Sequence, residues 1–309
     1  MAEVLNMRSR TMLFLLSLAV AASFSWDALR VAVKESLQNG YSSHVVLVPF
    51  IAAYLIWSGR KKIFASPSWS WRTGLAIAAL GIVGLVLVAK GPTSAPGVTS
   101  AAGKLACILV IVGGSFIASY GATAFKSAIF PLLLLLLILP VPSSVTDRIV
   151  FFLQTGSAEL TDKFFSILGV PFYREGFVLH LPGVSIEIAK ECSGINSSIA
   201  LLITMLLLAC ETLGTKSRRF ILVLLAIPMS LVKNAVRIVT LTLLALYVDP
   251  SFLNGRLHHQ GGFVFYLLTL ALMYPVWRLL KRTEYRKLAV ESVSEAHASS
   301  SLAPPSSAK

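Results

Sequence analysis

Apolar segments long enough to cross a membrane recur along this chain, and they constrain its fold more than any other feature. They extend from Thr11 to Leu280 and are separated by short polar stretches. A membrane-spanning helix needs about 20 predominantly apolar residues, because it must cover the hydrocarbon core of the bilayer. Hydrophobic residues make up 56% of the chain and charged residues 13%, about half the charged share of a soluble globular domain. The sequence therefore predicts an all-α polytopic membrane protein and excludes an ordinary soluble domain.

The apolar runs predict about eight transmembrane helices, which places both termini on the same side of the membrane. The expected spans are residues 11–25, 45–58, 73–90, 105–122, 127–141, 195–211, 220–248 and 262–280. The runs at 45–58 and 127–141 are short, so tilting, extension by neighbouring residues or a re-entrant path is expected for them. The first run has an alternative interpretation as a cleavable signal peptide, because Val20-Ala21-Ala22 resembles a small-residue cleavage site.

The basic residues predict the orientation of these spans. With both termini in the cytoplasm, sixteen of the 27 Lys and Arg residues lie on the cytoplasmic side and nine on the outer side, while Lys233 and Arg237 lie within a span. This distribution follows the positive-inside rule and predicts a multi-pass protein of the inner (plasma) membrane. The net charge of +13 is then a result of topology. Membrane lipid is an expected partner, and nucleic acid is not.

A single transmembrane domain is expected over residues 1–289, because the sequence shows no internal repeat and no second domain. Residues 290–309 contain Ser-Ser-Ser and Pro-Pro without apolar periodicity. Such a composition cannot bury enough apolar surface to order the chain. It predicts a disordered cytoplasmic tail.

The longest extramembrane segment, residues 142–194, is expected on the outer side of the membrane. It contains two strand-like alternating runs on either side of Pro182-Gly183. Alternation of this kind around a Pro-Gly turn predicts a short β-hairpin. The hairpin would lie on the membrane surface just before Cys192, so this cysteine is expected at the outer mouth of the sixth span.

Cys192 is the first candidate for chemistry, because it lies in a polar, glycine-containing segment just before a helix. A thiol at a helix N-terminus is exposed to the positive end of the helix dipole and to unpaired N–H groups, which stabilise the thiolate. Cys107 and Cys210 lie within apolar runs and are expected to act as small buried hydrophobic residues. The same structural role is the alternative for Cys192. The three cysteines form no disulfide framework.

Arg237 is the second candidate, because Lys233-Asn234-Ala-Val-Arg237 interrupts an otherwise apolar span. An arginine inside the bilayer costs several kcal/mol unless it is paired or exposed to water. At about 1.5 Å per residue, Arg237 lies roughly 25 Å above Arg219 and is expected near the outer face, level with Cys192. Asn234, one turn earlier, shares its face. The alternative is that Arg237 snorkels to the outer headgroups, and Lys233 is a candidate for the same behaviour.

His258 and His259 lie at the outer end of the last span. A neutral imidazole there would take a proton from a thiol or give one to a leaving amine. The alternative is that both are solvated loop residues without a role. Together, Cys192, Arg237 and a histidine are expected at one membrane depth on three different spans, which favours nucleophilic acyl transfer.

Three blocks of the sequence resemble the signature blocks of the exosortase/archaeosortase family in order and spacing. They are Glu191-Cys-Ser-Gly-Ile, Ile227-Pro-Met-Ser-Leu-Val-Lys-Asn-Ala-Val-Arg-Ile238 and His258-x-x-x-Gly262. Further resemblance lies in Tyr41-Ser-Ser-His44, Phe130-Pro131, Pro140-Val-Pro142 and Gly169-Val-Pro-Phe. Together these blocks cover about residues 40–270.

The resemblance implies a membrane-embedded cysteine protease or transpeptidase that cleaves C-terminal sorting signals of exported proteins. Signals of the PEP-CTERM type carry a Pro-Glu-Pro motif, a hydrophobic helix and a basic end. By resemblance, Cys192 is the nucleophile that forms a thioester, Arg237 stabilises the oxyanion or orients the thiolate, and His258 acts as acid and base. The resemblance implies neither a metal nor an organic cofactor.

Three more residues are candidates for contacts with the substrate or with the catalytic groups. They are Asn234, His259 and Glu191. The spacing to Gly262 favours His258 over His259 as the acid and base, and His259 stays an alternative. The oligomeric state is not predicted.

The sequence also fits two other functions. In a small membrane transporter or assembly protein, Arg237 and Asn234 would line a substrate path and Cys192 would be incidental. A Cys192→Ala protein would then remain active. The other alternative is a hydrolase of a lipid-linked substrate, which labelled substrates of each class would distinguish.

Overall fold

The computed structural model describes residues 7–38, 44–65, 70–91, 97–253 and 262–301 of the chain. It divides into two compact units, Met1–Asp147 and Arg148–Lys309. The domain that the sequence predicts over residues 1–289 crosses this division. Each unit has its own hydrophobic clusters.

The first unit consists of helices of very different lengths. In chain order they are α1 (Met7–Phe24), α2 (Trp26–Gln38), α3 (His44–Ser58), α4 (Arg60–Ile63), α5 (Trp71–Lys90), α6 (Val98–Tyr120), α7 (Ala122–Ser127) and α8 (Ile129–Leu134), followed by a 3-10 turn at Leu135–Ile138. The backbones of α5 and α6 are in close contact. A Cβ atom at Gly74 would lie 2.3 Å from the backbone N of Ala118, and a Cβ atom at Gly114 would lie 2.5 Å from the backbone N of Ala78. Glycines and alanines permit this close approach, which is how helices associate within lipid.

α1 packs on α6 in the same unit. The Phe14 ring meets the Phe116 ring edge to face at a centroid distance of 5.6 Å, and Tyr120 Oη donates a hydrogen bond to Thr11 Oγ1 at 3.1 Å. Edge-to-face aromatic pairs are favoured beyond the area they bury. The first apolar run therefore forms a helix that is packed into the first unit.

The second unit contains the small sheet and the last three long helices. Its elements are α9 (Ser143–Leu168, which starts just before the unit), β1 (Tyr173–Glu175), β2 (Val178–Leu181), β3 (Val184–Glu187), a 3-10 turn at Lys190–Ser193, α10 (Ile195–Thr212), α11 (Lys216–Tyr247), a 3-10 turn at Pro250–Leu253 and α12 (Gly262–Ser301). The sheet is antiparallel in the order β1-β2-β3, with Leu179 of β2 between Arg174 and Ile186. The predicted hairpin around Pro182-Gly183 is confirmed, and β1 adds a strand that the sequence did not predict.

α9 is a 26-residue helix in a segment for which the sequence predicts an extramembrane loop, so the prediction of a loop was wrong. The position of this segment outside the membrane stays a prediction. Five buried residues, Val150, Leu153, Ser157, Thr161 and Phe165, recur at intervals of three or four along its 26 residues. This spacing places them on one face of a helix. The exposed face carries charged residues, and these charges lower the hydropathy of the segment below that of a membrane span.

The structure confirms an all-α polytopic fold with a small sheet, with fewer spans than the eight predicted. Among the described residues, six helices are long and apolar enough to cross a membrane: Met7–Phe24, Trp71–Lys90, Val98–Tyr120, Ile195–Thr212, Lys216–Tyr247 and Gly262–Tyr285. A seventh span results if Ile129–Ile138 and Ser143–Leu168, which meet at a 97° bend, count as one. The predicted span at 45–58 is a shorter apolar helix, Val45–Ser58, which is too short to cross a bilayer of ordinary thickness unless the bilayer thins around it.

The last helix is longer than the span that the sequence predicts there. α12 continues past residue 290, where the sequence predicts a disordered tail, and ends at Ser301. Residues 302–309 lie outside the described part of the chain.

Two hydrophobic clusters hold the second unit together. In the first, Phe165 of α9, Leu179 of β2 and Ile238 of α11 pack together, so the sheet lies against both helices. In the second, Leu201 of α10 and Met273 of α12 pack with residues of α11. Within lipid, the close packing of these side chains stabilises the contacts between helices, because an apolar side chain gains little by leaving lipid for the protein interior.

Hydrogen bonds stabilise the turn between α10 and α11. The Glu284 carboxylate of α12 accepts hydrogen bonds from the backbone N–H groups of Gly214, at 3.1 Å, and Thr215, at 2.7 Å. Arg219 Nε donates to the carbonyl of Leu213 at 2.6 Å. α10 and α11 therefore run antiparallel, with Leu213 and Arg219 at the same end.

Candidate active site

The backbone around Cys192 changes direction just before α10. Cys192 lies in the 3-10 turn Lys190–Ser193, and Gly194 follows with a φ of +71°, in the left-handed region that favours glycine. α10 then begins at Ile195, so Cys192 precedes the N-terminal end of that helix by three residues. The side chains of Cys192 and Glu191 lie outside the described part of the structure.

Asn234 of α11 lies directly against Gly194. A Cβ atom at Gly194 would lie 2.8 Å from Oδ1 of Asn234. The Asn234 side chain is 1% exposed, and its Nδ2 donates to Ser157 Oγ of α9 at 3.1 Å. Three elements, namely α9, α11 and the segment after Cys192, therefore meet at this asparagine.

Arg237 is partly buried and lies three residues after Asn234 on α11. Residues three apart share a helix face and are separated by about 4.5 Å along the axis. Because Asn234 touches Gly194, Arg237 lies within about one helical turn of the level of Gly194. A guanidinium group at this level has the charge needed to bind a carboxylate or to stabilise an oxyanion.

Lys233, which the sequence offers as a candidate for snorkelling to the membrane surface, is buried. Its side chain is 5% exposed, and Nζ donates a hydrogen bond to Ser197 Oγ in the first turn of α10. The Ser197 hydroxyl donates in turn to the carbonyl of Gly194 at 3.0 Å. A protein hydroxyl thus replaces the headgroup as the partner of this ammonium, and only the folded structure brings the two together.

Two buried polar residues of α9 also contact this region, and the sequence prediction missed both of them. Gln154 Nε2 donates to the carbonyl of Ile188, just before the 3-10 turn, and Ser157 accepts from Asn234. Together with Thr161 they form a polar stripe at spacings of three and four residues. That helical spacing is a signal present in the sequence, although the sequence analysis predicts a loop for this segment.

His258 and His259 lie outside the described residues, so the structure gives no position for either candidate acid and base. In the part of the chain that the structure describes, no group of three His, Cys, Asp or Glu residues could hold a metal ion.

Comparison with models of known families shows which family this chain belongs to. The model of the transmembrane exosortase family matches residues 35–275, which is well over half of the sequence. The chain belongs to the transmembrane exosortase family. The matched region contains the segments with Cys192 and Arg237 and extends over parts of both structural units. Neither the comparison with curated proteins nor that with solved structures gives a match.

Membership in this family supports a general role as a membrane transpeptidase or protease. Together with its apolar helices, it identifies this exosortase as a multi-pass membrane protein. The segment after Cys192 lies against α11, where Gly194 contacts the side chain of Asn234.

A Gly194→Ala exosortase is expected to lose thermal stability. Its alanine would adopt φ +71° with a methyl group 2.8 Å from Asn234 Oδ1. The left-handed conformation costs about 1–2 kcal/mol, and relief of the close contact costs about 1–3 kcal/mol more. The melting temperature in detergent should therefore fall by about 5 °C or more.

Gly169→Ala is the matched control for this experiment. Gly169 has φ +68°, and nothing lies within 4 Å of its Cβ position, so the control introduces backbone strain without a steric conflict. Gly194→Ala should melt below Gly169→Ala, and Asn234→Ala added to Gly194→Ala should recover part of the difference. Equal melting temperatures of the two glycine variants would show that Asn234 does not restrict position 194.

Proposed function

We propose that this exosortase is a cysteine protease or transpeptidase that cleaves C-terminal sorting signals of exported proteins through a thioester on Cys192. The observation that carries the proposal is the contact of Asn234 with Gly194. This contact joins the segment of α11 that contains Arg237 to the residue two positions after Cys192. Family membership supports the reaction class, and sorting signals of the Pro-Glu-Pro type are the proposed substrates.

In the proposed first step, the Cys192 thiolate attacks a peptide carbonyl of the substrate and forms a C–S bond. The carbonyl oxygen becomes an oxyanion, which the Arg237 guanidinium stabilises. Collapse of this intermediate breaks the C–N bond, and His258 gives a proton to the leaving amine, with His259 as the alternative donor. The thioester and the released C-terminal segment are the products of this step.

In the second step, water or an amine attacks the thioester. The histidine takes a proton from the attacking group, and the Cys192 thiolate leaves. Water yields a free carboxylate on the exported protein, whereas an amine yields a new amide bond. The N-terminal end of α10 favours the thiolate in both steps, because the helix dipole is positive there.

The charge distribution of the second unit supports a site that faces outward. α11 begins with Lys216, Arg218 and Arg219, and basic residues also lie on α12 near Glu284, which contacts the same turn. The positive-inside rule places this end in the cytoplasm. Because α10 and α11 are antiparallel, the end with Gly194 and Asn234 would then face the outer side of the inner membrane. Exported proteins reach that side after translocation.

Burial at the site favours the enzyme over the transporter. A transporter would use Asn234 and Arg237 to line a substrate path. Asn234 is 1% exposed and hydrogen-bonded to Ser157, which suits a residue that supports the site backbone.

The test is co-expression of the full chain with an exported reporter that ends in Pro-Glu-Pro, a hydrophobic helix and a basic tail. We expect the intact mass of the reporter to fall only when this exosortase is present, and a reporter with a scrambled motif to stay intact. The product mass distinguishes hydrolysis from transfer to an amine. An unchanged mass across a panel of tail motifs, with the protein folded in the membrane, would contradict the proposed substrate class.

A further inference from the structure

Lys233 is a buried cation that the proposed mechanism does not use. An ammonium group loses its hydration when it is buried, and replacement of a buried charge by an apolar side chain of similar size is often neutral or even stabilising. Lys233 is 5% exposed, although a side chain such as methionine would fill a similar space. The hydrogen bond that its ammonium group donates therefore explains this residue better than the packing of its side chain does.

The ammonium group is the first donor in a short chain of hydrogen bonds. Lys233 Nζ donates to Ser197 Oγ, and the Ser197 hydroxyl donates to the carbonyl oxygen of Gly194 at 3.0 Å. A hydroxyl that accepts from a cation is polarised and becomes a better donor to its own acceptor. The chain thus connects α11 to the peptide group of the residue two positions after Cys192.

Gly194 is held from a second direction by the same helix. Asn234, next to Lys233 in sequence, lies against the Cα of Gly194, so any added Cβ would conflict with its Oδ1. The first N–H groups of α10, which follow Gly194, have no acceptor within their own helix. The orientation of the Gly194 peptide therefore determines where these N–H groups point and how the turn that contains Cys192 is presented.

We propose that Lys233 is a positioning residue for the thioester-forming step, which acts through Ser197 on the Gly194 peptide and so on the backbone that carries Cys192. The kinetic part of this inference rests on the proposed function. The positioning part is measurable without any substrate, because the reactivity of the Cys192 thiol reports on it directly.

The first experiment measures the rate at which iodoacetamide alkylates Cys192 in the purified full-length protein. Cys107 and Cys210 are replaced by alanine so that a single thiol is observed. Lys233→Met removes the cation and keeps an apolar side chain of similar length, Lys233→Arg keeps a cationic donor, and Ser197→Ala interrupts the chain of hydrogen bonds.

Ser198→Ala is the matched control for Ser197→Ala. The Ser198 hydroxyl donates to the same Gly194 carbonyl, at 2.8 Å, whereas the Lys233 ammonium group donates to Ser197. We expect Lys233→Met and Ser197→Ala to lower the alkylation rate by about tenfold, because small misplacements of a reacting group are costly. Lys233→Arg and Ser198→Ala should alkylate within about threefold of the rate of the parent protein, because both variants keep a cation that donates to Ser197.

The second experiment measures kcat and KM for the reporter peptide, together with the melting temperature. Lys233→Met should lower kcat by about 10–100-fold with little change in KM, which is the pattern of a lost transition-state interaction. Lys233→Arg should recover most of kcat. The melting temperature of Lys233→Met should stay equal or rise, so a loss of folding would not account for the kinetic effect.

The outcomes separate this inference from the proposed function. Lys233→Met and Ser197→Ala proteins that alkylate and cleave at parental rates would overturn the inference, even if the parent protein processes the reporter. Equal effects of Ser197→Ala and Ser198→Ala, without an effect of Lys233→Met, would also overturn it. A parent protein that never cleaves the reporter, but shows the expected alkylation pattern, would contradict the proposed function and leave Lys233 as a positioning residue.

Discussion

Cys192→Ala is expected to reduce reporter cleavage by at least about 1000-fold, because loss of the proposed nucleophile leaves only the residual effect of binding and oxyanion stabilisation. Cys192→Ser should be nearly as inactive, since a serine hydroxyl is a far weaker nucleophile than a thiolate. Intact-mass analysis of the reporter after co-expression measures both effects.

The other two cysteines provide matched controls for this prediction. Cys107 of α6 and Cys210 of α10 are partly buried free thiols within apolar helices. Replacement of either one by alanine is the same chemical change as Cys192→Ala. It should leave cleavage within about threefold of wild type, since such cysteines act as small hydrophobic residues. A Cys192→Ala protein that still cleaves the reporter would show that a different group is the nucleophile.

Arg237→Lys is expected to lower kcat/KM for the reporter by about 10–1000-fold, because lysine keeps the charge but lacks the planar, two-pronged donor group of arginine. Asn234, one turn earlier, fixes the level of this residue beside Gly194, so the shorter reach of a lysine head group is not compensated by helix movement. Steady-state kinetics of the purified variant on a reporter peptide measure the effect.

Arg148→Lys is the control for this substitution. Arg148 is exposed on α9, and the same chemical change there should leave kcat/KM unaltered. The melting temperatures of both variants should match that of the wild-type protein. Arg237→Lys kinetics close to wild type would exclude a role that depends on the guanidinium geometry.

The membrane class and the hairpin were predictable because each depends on a local pattern. Apolar runs of span length identify helices such as α6 and α11, and alternation around Pro182-Gly183 identifies β2 and β3. α9 was missed for the opposite reason. The helix is amphipathic: its buried face mixes apolar residues with Ser157 and Thr161, and its exposed face carries charged residues. A search for continuous apolar runs therefore does not detect it.

The polar contacts of the site depend on tertiary structure, and the sequence alone did not reveal them. Asn234 and Arg237 were selected because polar residues within an apolar span are costly, and this argument needs no partner. The same argument singles out Lys233, for which the sequence offers snorkelling to the membrane surface as one alternative. Its hydroxyl partner, Ser197, is 36 residues away in sequence and lies beside it only because α10 and α11 form a hairpin.

The contacts around Gly194 come from elements that follow one another in the chain. α9, the segment from Ile188 to Gly194, α10 and α11 supply hydrogen bonds that hold this region, and these lie within residues 154–234. In evolutionary terms, one recombination event with breakpoints on either side of this stretch would transfer the complete set of pairings to a related chain. A change to a single element would separate partners such as Asn234 and Ser157, so this stretch is expected to be inherited as one block.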